Sequence, residues 1–173
     1  MMRRWIFPIL AGGLVAFGAN QATLLATPYA LMYAALNKVS ERSPVNRFAF
    51  APMATADNQT IVRPSPDLAY STCVFDVSQG PVLVDVQPVP DHYWSVSVFD
   101  ARTDVAAVRS DRDTNGKAAR LALMKKGQKA PAGYTPVVLA YDRGLALIRI
   151  LLANPQEFPA MDAIRRKSTC KQI

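Results

Sequence analysis

The stretch IVRPSPDLAYSTC gathers Arg63, Asp67, Tyr70 and Cys73 around two prolines. A cation, a carboxylate and a phenol so close together can bind a polar ligand or brace a turn. Arg63 and Ser65 each precede a proline, which drives both toward extended backbone and holds Asp67 at a set displacement from Arg63. As a structural corner, the stretch would use Asp67 to accept backbone N–H groups, with Tyr70 donating its hydroxyl nearby. On that reading Asp67→Ala destabilises more than Tyr70→Phe. As a site, the same Arg63, Asp67 and Tyr70 would face a ligand, with His92 as a fourth member.

His92 is the only histidine and lies in VPDHYW, at the mouth of an alternating segment. Any histidine-based acyl-transfer chemistry must therefore use it, with a serine such as Ser71 and a carboxylate such as Asp67 or Asp91. There is no G-x-S-x-G elbow, phosphate loop or dinucleotide fingerprint. One histidine and no Cys/His cluster exclude a typical zinc site, and although Asp67, Asp91 and Asp100 are of the type that holds a hard cation, no metal and no cofactor are expected. Cys73 and Cys170 are the only cysteines. They form either one disulfide or two separate buried thiols.

These residues must be positioned by a β-rich domain. In VLVDVQ, Val82, Val84 and Val86 share a face opposite Leu83, Asp85 and Gln87; in YWSVSVF, Trp94, Val96 and Val98 oppose Tyr93, Ser95, Ser97 and Phe99. That period of two marks half-buried strands. Further strands are predicted at Cys73–Val77, Val105–Arg109, Ala119–Met124, Val137–Tyr141 and Leu145–Leu152, separated by turn residues such as Ser78-Gln79-Gly80-Pro81 and Asp113-Thr114-Asn115-Gly116. Short strands at close spacing predict an antiparallel β-sandwich or barrel-like domain over 61–173. A short C-terminal helix follows in NPQEFPAMDAIRRKS, with Asn154 at its cap and Phe158, Met161 and Ile164 as its apolar stripe.

The 173-residue chain, half of it hydrophobic, suffices for one such domain. Its hydrophobicity is uneven: Trp5 to Asn37 contains no charged residue. About twenty apolar residues cross a hydrocarbon core of about 30 Å, so residues 1–37 are expected to form an N-terminal transmembrane anchor, with Pro28 ending or kinking the helix. The competing reading is a signal peptide cleaved near Ala16-Phe17-Gly18; against it, apolar sequence resumes at Ala22. Residues 38–60 read as a linker with one packed turn at Phe48 and Phe50.

The segments IVRPSPDLAYSTCVFDVSQGPVLVDV and DHYWSVSVFDARTD resemble, in order, the motifs of the bacterial family called domain of unknown function 1254. Those motifs are approximately V-R-P-N-x-D-T-L-Y-S, a Gly-Pro turn and a Tyr-Trp-Ser strand. The resemblance is clearest over Asn46–Asp104 and is to the short, membrane-anchored members. Ser65 stands where many members have Asn, and Leu68-Ala69 replaces Thr-Leu. The resemblance implies a β-sandwich-like domain of a kind often exported, and no established activity.

A net charge of +7 raises the question of nucleic acid, but Lys and Arg are scattered along the soluble part, with denser groups only at Lys125–Lys129 and Arg165–Lys171 and no recognition motif. No nucleic-acid partner is expected. The expected partners are the membrane, through the N-terminal helix, and an envelope protein or acidic polymer. Arg3 and Arg4 before the apolar run nearly balance Lys38, Arg42 and Arg47 after it; a four-residue basic tail is easily retained, which favours a signal-anchor in the inner membrane with the soluble domain on the periplasmic side. Two functions remain open: a non-enzymatic binding or accessory module, or an envelope hydrolase acting through Asp67, Tyr70 and His92.

Overall fold

The alternating valines do what their period requires. In the computed structural model, which describes residues 3–55 and 64–173, Val82, Val84 and Val86 all point into one core together with Trp94, Val96 and Val98. The strands are β1 (Phe48–Phe50), β2 (Leu68–Asp76), β3 (Val82–Val86), β4 (Trp94–Phe99), β5 (Val105–Ser110), β6 (Ala119–Lys125), β7 (Thr135–Leu139), β8 (Arg143–Leu151) and β9 (Thr169–Gln172). The helices are α1 (Arg3–Ser40), α2 (Asp111–Thr114) and α3 (Phe158–Arg165), the last preceded by a 3₁₀ turn at Pro155–Glu157.

Two sheets face each other: β1-β2-β8-β4-β5 and β7-β6-β3-β9. The pairings are antiparallel except β6 with β7, which run parallel, so the four-stranded sheet is mixed rather than purely antiparallel. Between the sheets lie Phe75, Val77, Leu121, Leu123, Ile148 and Ile150, each at most 1% exposed. Burying one such side chain contributes about 1.5–3 kcal/mol, which makes this shared face the main source of stability. Gly144, second in β8, stands opposite Phe75, where a Cβ would fall 2.2 Å from the Phe99 carbonyl oxygen and 2.5 Å from the Phe75 ring.

Two segments depart from the sequence reading. Phe48–Phe50 is not a turn in a linker but the edge strand β1, paired Phe48 to Cys73 and Phe50 to Ser71. Asn46, at φ 61°, steers the chain into it by donating its backbone N–H to Val74 O and accepting the Asp76 N–H on Oδ1, both at 2.8 Å. After α3 the chain adds the unexpected strand β9, paired Cys170 to Val84.

Helix α1 differs from expectation at its end. Pro28 neither ends it nor leaves its last turns free; the helix runs to Ser40 with Pro8 and Pro28 inside. Met32 and Leu36 are buried against Val74, with Val39, Phe99 and Leu145 packed around them. This contact, on the outer face of the five-stranded sheet, offsets the backbone hydrogen bond that Pro28 removes. At its start, the Tyr29 and Tyr141 hydroxyls meet at 2.9 Å and the Arg102 guanidinium lies 5.9 Å from the Tyr29 ring centre. Among the described residues, α1 is the one helix long and apolar enough to cross a membrane.

Candidate functional site

Asp67, Tyr70 and His92 come to one end of the five-stranded sheet, around the end of β8. The Leu152 N–H donates to Asp67 O and the Leu151 N–H to Tyr93 O, both at 2.9 Å. Asp67 and His92 thus flank β8 on opposite sides. With neighbouring strands about 4.8 Å apart, they stand about 10 Å from each other, and no hydrogen bond joins them.

The corner is tied differently from the sequence reading. The Tyr70 hydroxyl accepts the Ser65 N–H at 2.9 Å rather than donating to Asp67. Between Pro64 and Pro66, which have no N–H, that is the backbone donor Tyr70 can reach. Ser65 Oγ accepts the Asp67 N–H at 3.4 Å. Asp67 is exposed and contributes its backbone; among the described residues its carboxylate has no hydrogen-bond partner. Arg63, the other member of the expected corner, lies outside the described residues.

His92 is engaged elsewhere. Its Nδ1 is 2.8 Å from Pro90 O and its Nε2 3.2 Å from Glu157 Oε2. The Pro90 carbonyl first, and then Glu157, raise the imidazole above its ordinary value. Glu157 is held below the usual carboxylate range by the Ala153 N–H, which it accepts at 2.9 Å, and then by His92. Asn154, expected to cap with its side chain, instead donates to Glu157 Oε1 at 2.9 Å.

Ser71, the serine considered with His92, is buried between the sheets and accepts from Arg165 Nη1 at 3.3 Å. Arg165 heads the basic group that runs to Lys171 in the sequence, yet it is 1% exposed. It pairs with Asp162 at 2.5 Å, donates to Ala51 O at 2.6 Å and to Tyr70 O, and lies over the Phe50 and Phe158 rings. Burial pushes the guanidinium down, whereas the side-chain bonds from Arg166 and Arg165 outweigh burial at Asp162 and hold its carboxyl below its usual range. The signal was present: Arg165 is seven residues after Phe158 and so shares the inward stripe of α3 with Met161.

Cys73 on β2 and Cys170 on β9 are bonded, with S–S 2.04 Å, so the bridge joins the two sheets. Among the described residues, no group of three or more His, Cys, Asp or Glu side chains is arranged to hold a metal.

Two sheets bridged by a disulfide, with an apolar helix laid on the outer face of one, define a β-sandwich domain carrying a helical arm. Residues 45–172 match the family described as "Protein of unknown function (DUF1254)", and the chain belongs to that family. No curated protein matches it. Among solved structures, the VPA0106 protein from Vibrio parahaemolyticus is similar at 18% identity and a TM-score of 0.67, over 86% of this chain and 35% of that one. The likeness is one of fold, and this chain spans about a third of that protein's length. An uncharacterized protein from Burkholderia cenocepacia aligns at 15% identity and a TM-score of 0.49, over 89% of this chain and 42% of that one.

Proposed function

We propose that the protein is a single-pass inner-membrane protein whose β-sandwich serves as a binding or accessory module on the periplasmic side. The observation that carries this reading is α1. Trp5, Phe7, Leu14 and Val15 are 67–80% exposed on a helix that is apolar on all sides, a state that water disfavours and a bilayer relieves. Cleavage after Gly18 would leave Leu24, Leu25 and Leu31, each more than half exposed, in water.

Docking of Met32 and Leu36 on the sandwich makes the anchor a rigid arm, which presents the domain in one orientation. The Cys73–Cys170 bond suits an oxidising compartment, in keeping with the periplasmic side. Exposed Val105 and Val108 on β5 and Val138 on β7, both edge strands, suit a protein partner, and the net charge of +7 suits an acidic envelope polymer. The hydrolase reading gains no support, because Ser71 is buried against Arg165 and His92 is engaged with Glu157.

The test is fractionation of the native host followed by protease treatment of spheroplasts. The expected result is full-length protein that resists carbonate extraction and loses its β-domain to external protease. Protein released by carbonate, or a mature chain beginning near Ala19, would refute the anchor; a protected β-domain would refute the sidedness.

A further inference from the structure

The outer face of the five-stranded sheet is built in rows whose chemistry changes along the strands. Val74, Leu145 and Phe99 form an apolar row under α1, with Val105 of β5 in register. One row on stand Thr72, Leu147, Ser97 and Val108, and beyond them Tyr70, Arg149, Ser95 and Ser110. Two rows along a strand is about 14 Å, so Arg149 stands well beyond the part of the face that α1 covers.

Arg149 is only partly open to solvent, and its hydrogen bonding is incomplete. Nη2 donates to Ser97 Oγ at 3.1 Å. Nε is buried without a partner, and so is the Oγ of Ser95, the residue directly opposite Arg149 on β4 and itself 1% exposed. Among the described residues no carboxylate pairs with the guanidinium. Asp111, next to Ser110 at the end of the row, has an unpartnered buried oxygen of its own but makes no ion pair with Arg149. Buried donors are normally satisfied, and a guanidinium with no counter-charge is the more costly exception.

We propose that Arg149, Ser95 and Ser97 form a binding site for a carboxylate group. The Nε/Nη2 edge of a guanidinium matches the two oxygens of a carboxylate, Nη2 has a second hydrogen beyond the one given to Ser97, and the Ser95 hydroxyl supplies a third donor. Tyr70 stands in register on the other side of Arg149, and its hydroxyl is occupied by the Ser65 N–H. The inference deepens the binding-module reading by naming the ligand chemistry.

The test is a titration of the detergent-solubilised full chain with sodium acetate, following the side-chain Nε–H resonance of Arg149, assigned by its loss in Arg149→Lys. Sodium chloride and sodium phosphate at equal ionic strength are run alongside. Acetate is expected to shift the resonance saturably, with Ser95→Ala raising the half-saturating concentration about tenfold and Asp111→Asn changing it by less than about twofold. A shift that does not saturate, or that chloride reproduces, overturns the site. Tighter saturation by phosphate overturns the carboxylate assignment, and acetate binding that appears only in Asp111→Asn assigns Asp111 as the counter-charge and removes the proposal. Because the readout is local to the sheet, it is independent of whether α1 spans a membrane.

Discussion

Arg165 on α3 and Asp162 one turn before it form an ion pair at 2.5 Å whose guanidinium is 1% exposed, while the carboxylate retains 21% of its side-chain surface. Removing Asp162 strands a charge among apolar rings, whereas removing both groups leaves a pocket that an apolar side chain fills. Asp162→Ala is expected to destabilise by about 3 kcal/mol, and the double variant Asp162→Ala/Arg165→Met to recover part of that loss. Thermal melts of the detergent-solubilised chain decide the point; a double variant less stable than Asp162→Ala alone contradicts it.

At the proline corner, the order of effects is the reverse of the one the sequence alone predicts. Tyr70→Phe leaves the part-buried Ser65 N–H without an acceptor and is expected to cost about 1 kcal/mol or more. Asp67→Ala keeps the backbone carbonyl that Leu152 uses and is expected to stay within about 0.5 kcal/mol of the parent. Equal melting temperatures for Tyr70→Phe and the parent would show that water replaces the phenol there.

With one histidine in the chain, the His92 ring gives a single Cε1–H resonance to follow. Its titration midpoint is expected above the ordinary value, because Pro90 O and Glu157 favour the protonated ring. The stability this contributes is fully present below the unfolded-state pKa of histidine and is lost as pH rises through the higher folded-state value. Glu157, shifted down, contributes above its unfolded value and loses that contribution as pH falls through its folded one. The pair therefore helps most in mildly acidic solution, and melting temperatures of His92→Gln and parent should converge toward pH 8.5. A parallel offset at every pH would contradict this account.

The bond between Cys73 and Cys170 closes a loop of 97 residues across the two sheets. On the chain-entropy estimate such a loop is worth about 4–5 kcal/mol. Protein from the native host should migrate differently on reducing and non-reducing gels, and Cys73→Ser should abolish the difference and lower the melting temperature. Titration of two free thiols in the protein isolated from the native host would contradict it.

Where one face of a segment is buried along its whole length, the sequence is enough. Val82, Val84 and Val86, or Trp94, Val96 and Val98, declare their inward face because a slip of one residue would turn every one of them to water. The uncharged run from Trp5 to Asn37 likewise declares a helix that no core of this size can enclose. Strands β1 and β9 were not legible in that way, since three or four residues hold too little period to register and only an unpaired edge beside β2 or β3 defines them. Arg149 could be placed on the outer face by its alternation with Ile148 and Ile150, but not its lack of a partner, which depends on what β4 sets opposite it. The fate of Arg165 was decided by tertiary structure. A guanidinium leaves water only where compensating groups converge, and its acceptors come from Ala51, Tyr70 and Asp162, the first of them 114 residues away along the chain. Alternation reports which side of an element faces the core; it carries no information about which distant carbonyls will meet there.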